Sequence, residues 1–247
     1  MSDPATIKEF SMMANGLKTI LYINFFALSP LTASPPCMAS GESPHHYLVL
    51  GDSMVRTGFG QALKSRFAKE LNAKVKVFGK SASGLSRPDA FDWHRALDQA
   101  VDPAMQESSA YVMIGTNDCQ DLNIKGKYIS FGSPEWTEAY RERLKKFTES
   151  LCKNVRSVYW FGLPPMRPKK FNEKISQLNR ITEDFFKSQP CVKYVATHSI
   201  LGSSEGGFQS VIRFKNTTRT IRENDGIHLS YQGAQILVDY IIRQKFF

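Results

Sequence analysis

The chain has 247 residues, of which 42% are hydrophobic and 22% are charged. These values are typical of a globular protein, and they exclude a disordered or fibrous chain. The formal net charge is +9, which is compatible with an anionic partner. However, no run of Lys and Arg reaches the roughly five to eight residues of a basic binding tract. We therefore expect a basic surface without a nucleic-acid partner.

The N-terminal segment has the layout of a secretory signal. Lys18 precedes an apolar run over residues 19–31, and small residues and prolines follow over 32–40. The apolar run is shorter than the about 20 residues that a membrane span requires. We interpret residues 1–41 as a signal peptide and linker and residues 42–247 as one folded domain, with an uncleaved anchor as the alternative. A periplasmic or secreted location follows, with no stable membrane span after signal removal.

From residue 46 onward, short apolar runs alternate with longer stretches of helical periodicity. The apolar runs predict five buried parallel strands, at 47–51, 74–78, 110–114, 157–161 and 193–196. Apolar residues three or four apart predict helices at 58–71, 89–101, 133–154, 172–187 and 230–244. The alternation predicts an α/β fold with a five-stranded parallel sheet covered on both faces. A small hairpin around Asn216 is expected before the last helix.

The cysteines bear on metal binding and on disulfide formation. No pair among Cys37, Cys119, Cys152 and Cys191 has metal-ligand spacing, so no metal site is expected. Free buried thiols are the default interpretation. Because Cys152 and Cys191 each precede a predicted strand, a disulfide between them is the alternative.

Polar motifs lie where the predicted strands end. Gly51-Asp52-Ser53 ends the first strand, Gly84 lies in the turn after the second, and Gly115-Thr116-Asn117-Asp118 ends the third. Asp225-Gly226-Ile227-His228 precedes the last helix. Ligands of open α/β sheets bind at the carboxyl ends of the strands, so these motifs are candidates for one site. Taken singly, each motif is equally a common turn.

These residue types suit acyl transfer. Ser53 is a nucleophile if a neighbouring base takes its proton, and the imidazole of His228 is suited to that role. Asp225 lies three residues before His228 and is expected to fix the ring tautomer. The N–H groups of Ser53 and Gly84 and the side-chain amide of Asn117 are candidate oxyanion donors.

The four motifs in this order resemble the conserved blocks of the SGNH (GDSL-type) hydrolase superfamily, over about residues 46–247. The resemblance implies a three-layer, flavodoxin-like fold. It also implies a triad of Ser53, His228 and Asp225, and an oxyanion hole formed by Ser53, Gly84 and Asn117. Met54 departs from the superfamily, in which many members carry Leu after the serine; the change conserves volume and leaves the nucleophile in place.

Longer segments are similar to one bacterial branch of that superfamily, catalogued as domain of unknown function 459. These segments are 83–89, 91–93, 132–136 and 162–167. Because they follow the oxyanion glycine, Arg87, Asp89 and Trp93 are candidate substrate-binding residues; a structural Arg–Asp pair beside a packed Trp is the alternative. Arg167 is a candidate contact for an anionic substrate group, and a solvated charge is its alternative.

The expected function is hydrolysis of an O-acyl ester through an acyl-enzyme on Ser53, without a metal or organic cofactor. The expected substrate, an acylated carbohydrate or another small ester, is inferred from the exported relatives implied by the resemblance. Three alternatives stay open: an acyltransferase using the same acyl-enzyme, a lysophospholipase or thioesterase, and a non-catalytic glycan-binding module.

Overall fold

A computed structural model describes residues 45–101, 105–106 and 108–247. The predicted signal segment, residues 1–41, lies outside the described residues. The central sheet has five parallel strands, which are β1 (His46–Gly51), β2 (Lys74–Gly79), β3 (Ser109–Met113), β6 (Ser157–Phe161) and β7 (Val192–Val195). Their order across the sheet is β2-β1-β3-β6-β7. The α/β fold and the five-stranded parallel sheet predicted from the sequence are confirmed.

Two groups of helices cover the sheet. The helices are α1 (Gly60–Leu71), α2 (Trp93–Ala100), α3 (Pro134–Cys152), α4 (Lys169–Phe186), the short α5 (His198–Leu201) and α6 (Tyr231–Arg243). α1 packs beside α6, while α3 packs beside α2 and α4. Among the described residues, no helix is long and apolar enough to cross a membrane.

The inner strand β1, between β2 and β3, lies in the core. Leu48, Val49 and Leu50 are fully buried, since both faces of the sheet are covered. A parallel strand in this position reads as a continuous apolar run, which is why the sequence predicted it. β2 pairs with one edge of β1 and β3 pairs with the other, so the strand order reverses at β1. Such a point opens a crevice at the carboxyl end of the sheet.

Two small hairpins lie outside the central sheet. β8 (Val211–Phe214) and β9 (Thr217–Thr220) form the hairpin predicted around Asn216, where Lys215 and Asn216 adopt positive φ. The second hairpin pairs β4 (Leu122–Ile124) with β5 (Lys127–Ile129), and it was not predicted. Its strands have three residues each, too few for a periodic pattern to be recognised.

A disulfide joins Cys152 at the end of α3 to Cys191 just before β7, with 6.1 Å between the Cα atoms. The default interpretation of free thiols is therefore wrong for this pair. Each cysteine precedes a strand, and β6 and β7 are neighbours, so the two side chains meet at one end of the sheet. Cys119 is a buried free thiol.

Candidate active site

The loop that carries Ser53 is fixed by the residue before it. The carboxylate of Asp52 is fully buried, and Oδ1 accepts from the Met54 N–H at 2.9 Å. Oδ2 accepts from the N–H groups of Gly115 and Thr116, at 3.1 and 2.9 Å. Asp52 thus joins the loop after β1 to the loop after β3. Burial raises the pKa of Asp52 to about 6, although these hydrogen bonds oppose the change.

After Ser53 the chain enters a π-helical turn, Val55–Phe59, that leads into α1. Gly51 ends β1 where an added Cβ would lie 2.0 Å from the carbonyl oxygen of Met113. Only glycine permits this approach between β1 and β3. Ser53 therefore begins a helical segment at the carboxyl end of β1.

Three polar side chains form a continuous hydrogen-bonded row. His228 Nε2 lies 2.9 Å from Ser53 Oγ, and His228 Nδ1 lies 2.6 Å from Asp225 Oδ2. Asp225 Oδ1 also accepts from the N–H groups of Ile227 and His228, at 2.7 and 3.0 Å. The structure thus brings together Ser53, His228 and Asp225, which are separated by up to 175 residues in the sequence.

The electrostatics of Asp225 suit a base-orienting role. Its partial burial tends to raise the pKa, but the hydrogen bonds from the His228 ring and the two N–H groups outweigh burial. The pKa of Asp225 therefore lies below its ordinary value. An ionised carboxylate beside the imidazole favours the tautomer with a proton on Nδ1, which leaves Nε2 free to accept a proton from Ser53.

The loop that carries Asp225 and His228 rests on Arg167. The Arg167 N–H donates to the Gly226 carbonyl at 3.0 Å, and its guanidinium donates to the Asn224 carbonyl at 2.8 Å. Gly226 has a φ of +70°, and a Cβ there would lie 2.4 Å from the Arg167 Cβ. Arg167 contacts the backbone of this loop, whereas the sequence offered a contact with substrate or a solvated charge. A contact between Arg167 and substrate stays a prediction.

Arg222 supports the same loop from within the protein. Only 2% of this residue is exposed, and its guanidinium donates to the Pro165 carbonyl at 3.2 Å. Burial lowers the pKa of Arg222 to about 10, and the nearby Asp225 acts in the opposite direction. Arg222 pairs with Leu229 in an isolated antiparallel bridge, so it also fixes the residue after His228.

One candidate oxyanion donor, Asn117, is tied to the turn after β2, which carries another, Gly84. Asn117 Nδ2 donates to the Ser83 carbonyl at 2.9 Å, which ties this side chain to the residue before Gly84. The turn includes Ala82 in the left-handed region, with a φ of +55°. Within the described residues, the N–H groups of Ser53 and Gly84 donate to no protein acceptor. Both N–H groups are thus available to an external acceptor.

Asp118 explains why residue 84 is glycine. A Cβ at Gly84 would lie 2.0 Å from Asp118 Oδ1. The buried carboxylate of Asp118 accepts from the N–H groups of Leu85 and Ser86, at 3.0 and 2.8 Å. It also accepts from the Tyr140 hydroxyl at 2.9 Å. Asp118 therefore fixes the turn that follows Gly84.

Sequence reasoning assigned no role to Asp52, Asp118 or Tyr140. The two aspartates stand inside the motifs that were singled out, beside Ser53 and Asn117, and that adjacency was the available signal. Tyr140 lies on the apolar face of α3, where its hydroxyl gave no indication of a buried partner.

The remaining candidate substrate residues lie beside Gly84. Arg87 and Asp89 form an exposed ion pair, with 2.7 Å between Nη2 and Oδ2. Trp93 is only 2% exposed, and its indole N–H donates to the Ser83 hydroxyl at 3.2 Å. The ion pair and the packed Trp of the structural alternative are both present, and substrate binding by these residues stays a prediction. Across the part of the chain that the structure describes, no group of three or more His, Cys, Asp or Glu side chains is arranged to hold a metal ion.

Solved structures share this fold. An acetylxylan esterase from Geobacillus stearothermophilus superimposes with a TM-score of 0.57 at 15% identity, covering 83% of this chain and 95% of the esterase. A lipolytic G-D-S-L family protein from Veillonella parvula gives a TM-score of 0.56 at 14% identity, with 81% and 97% covered. An α/β hydrolase from the metagenome of Lake Arreo, Spain, gives 0.57 at 13% identity, with 81% and 95% covered. The fold is therefore that of the SGNH hydrolases.

The family is defined by sequence. The model of the protein family of unknown function DUF459 matches residues 46–244, and the chain belongs to this family. This confirms the narrower resemblance seen in the sequence. No curated protein matches the chain significantly.

Proposed function

We propose that this protein is a serine esterase that hydrolyses O-acyl esters through an acyl-enzyme on Ser53. The observation that carries the proposal is the unbroken row from Ser53 Oγ through the His228 ring to the Asp225 carboxylate, with links of 2.9 and 2.6 Å. Nucleophilic acyl transfer requires a nucleophile within hydrogen-bond reach of a base, and a third group that orients the base. Ser53, His228 and Asp225 are arranged in this way.

In the first half-reaction, Ser53 Oγ attacks the acyl carbon while His228 Nε2 takes the hydroxyl proton. The tetrahedral intermediate collapses when His228 returns that proton to the leaving alcohol. In the second half-reaction, His228 takes a proton from water, the hydroxide attacks the acyl-enzyme, and Ser53 Oγ leaves with the proton. Asp225 orients the ring and stabilises the imidazolium in both halves.

The oxyanion of each intermediate is proposed to accept from the N–H groups of Ser53 and Gly84 and from the Asn117 side chain. Asn117 has a second amide hydrogen besides the one donated to Ser83. Because Asp52 and Asp118 fix the three donor segments beforehand, little reorganisation accompanies the reaction. Loss of one such donor typically raises the barrier by about 2.7–4 kcal/mol.

We propose an extracytoplasmic acylated carbohydrate as the substrate. The fold is shared with a protein described as an acetylxylan esterase, which supports this class of substrate. A disulfide supports export, since disulfides persist in oxidising compartments. The division into residues 1–41 as signal peptide and linker and residues 42–247 as the catalytic domain belongs to the same proposal.

The test is hydrolysis of 4-nitrophenyl acetate by residues 42–247, with wild type beside Ser53→Ala and His228→Ala. The proposal predicts turnover by the wild type and a loss of about 10³-fold or more in each variant. Equal background rates in the three proteins would contradict the proposal. Acetylated sugar formed only when a second sugar is added would instead identify an acyltransferase.

A further inference from the structure

A polar cleft of about 470 Å³ is lined by residues that follow Gly84 and Asn117 in the chain. Its lining side chains come from three segments of the chain and include Arg87, Asp89, Gln120, Asp121, Tyr128 and Lys174. These segments are the loop after Gly84, the loop and hairpin after Asn117, and α4. The β4–β5 hairpin, which the sequence did not predict, forms one of its walls.

Hydrogen bonds connect this cleft to the reaction site. The Gln120 side chain donates to the carbonyl oxygen of Asn117, and the Ser86 hydroxyl donates to the same carbonyl at 3.5 Å. Arg87 follows Ser86 directly. Gln120, which lines the cleft, therefore contacts the backbone of Asn117, one of the proposed oxyanion donors.

Tyr128 presents an aromatic ring to the cleft. It is 74% exposed, the largest exposure among the large hydrophobic side chains of the described residues. Asn123 Oδ1 accepts from the Gly126 N–H at 2.9 Å, and the Lys127–Glu135 ion pair joins the hairpin to α3. An exposed ring on a braced hairpin offers a flat apolar surface at a small cost in conformational entropy.

The charges of the cleft balance, although the chain as a whole carries +9. Arg87 is paired with Asp89. Lys174 Nζ lies 5.3 Å from the centre of the Phe131 ring and donates to the Cys119 carbonyl at 3.3 Å. Asp121 Oδ1 accepts from the Phe131 N–H. The two cations, Arg87 and Lys174, are thus balanced by the carboxylates of Asp89 and Asp121. A cleft without net charge, with the Gln120 amide in its lining, favours a ligand with neutral hydroxyl groups over a polyanion.

We propose that this cleft binds the neutral sugar chain of an O-acylated oligosaccharide, with Tyr128 stacked on a sugar ring next to the acylated one. The proposal rests on the proposed function and names its substrate more narrowly. Amides, an ion pair and a carboxylate supply hydrogen-bond partners for sugar hydroxyls, and the phenol ring covers the apolar face of the sugar. A polyanionic glycan would be repelled by the carboxylates of Asp89 and Asp121.

The test measures binding to the inactive Ser53→Ala protein by calorimetry. The ligands are O-acetylated xylo-, manno- and cello-oligosaccharides, with acetylated oligogalacturonate as the anionic comparison. We expect at least one neutral ligand to bind, and we expect Tyr128→Ala in the same background to weaken it about tenfold. Tyr231→Ala is the matched control because Tyr231 is 71% exposed and lines a different cavity. It should leave affinity unchanged.

Three results would overturn the cleft proposal. These are no binding of any neutral oligosaccharide, equal weakening by both tyrosine variants, and binding of the anionic ligand alone. Failure of the proposed function is seen separately, because it appears as absent hydrolysis of 4-nitrophenyl acetate by wild type.

Discussion

Gly84→Ala tests how the candidate oxyanion turn is built, because it keeps the backbone N–H while adding one methyl group. The added Cβ would lie 2.0 Å from Asp118 Oδ1 and 2.7 Å from its Cγ. Relief requires a movement of more than 1 Å, since ordinary contacts begin at about 3.4 Å. Asp118 cannot move alone, because Leu85, Ser86 and Tyr140 all donate to it.

The expected cost has two parts. Overpacking a well-packed interior costs about 1–3 kcal/mol, and loss of one hydrogen bond to a charged group costs about 1.5–3 kcal/mol. Gly84→Ala should therefore lower the free energy of unfolding by about 3–6 kcal/mol. A donor displaced by about 1 Å also costs about 100-fold in rate, so kcat should fall by that factor at a temperature where the variant is folded.

Denaturant unfolding and 4-nitrophenyl acetate hydrolysis measure the two effects. Gly206→Ala is the control, since an added Cβ there would meet nothing within 4 Å, although Gly206, unlike Gly84, has a positive φ of +78°. Backbone strain alone should cost the control about 1–2 kcal/mol, with no change in rate. A Gly84→Ala protein that matches Gly206→Ala in both stability and rate would refute the role assigned to Asp118.

Three further predictions concern the base, the disulfide and one ion-pair cluster. Asp225→Asn should lower kcat by about 10⁴-fold with little change in KM; a loss below tenfold would contradict its orienting role. Reducing Cys152–Cys191, which are 39 residues apart, should lower the free energy of unfolding by about 4 kcal/mol, whereas a double alanine variant should be insensitive to the reductant. Arg66, Lys215 and Arg243 surround Asp239, and their hydrogen bonds outweigh burial and lower its pKa. That stabilisation is present above the ordinary value of 3.8 and lost as pH falls below it. Asp239→Asn should destabilise the protein by about 1–3 kcal/mol at pH 7, and unfolding curves at pH 3 should show a smaller difference.

The central sheet could be predicted because its strands carry either apolar runs or a strong alternation of apolar and polar residues. The inner strands β1 and β3 are almost entirely buried, whereas the edge strand β2 includes exposed residues. The helices between the strands carry regular apolar faces. Helix starts were less accurate: the expected start of the second helix was residue 89, but α2 begins at Trp93, where Asp92 caps the helix by accepting from two N–H groups. A capping aspartate is difficult to distinguish from the other polar residues of that loop.

The position of the candidate site followed from the order of four motifs, but its supporting contacts did not. Asp52 and Asp118 accept hydrogen bonds from backbone N–H groups of residues 32 to 64 positions away. Hydrogen bonds to backbone groups so far away in the chain produce no periodic pattern in the sequence. Arg167 was interpreted from its charge, whereas its contacts are with the carbonyls of a loop that begins 57 residues later. The β4–β5 hairpin was missed because its strands are so short, and with it the exposed position of Tyr128.

Reaction with a fluorophosphonate, followed by peptide mapping, tests the claim that Ser53 is an activated nucleophile most directly. The reagent forms a stable phosphonyl ester only with an activated hydroxyl, so labelling depends on the base as well as on the serine. If Ser53 is activated by His228, the wild type should carry one adduct, on Ser53. After the same reaction time, His228→Ala should carry almost none. An adduct on another residue, or hydrolysis of 4-nitrophenyl acetate that persists after the reagent without any label on Ser53, would contradict that claim.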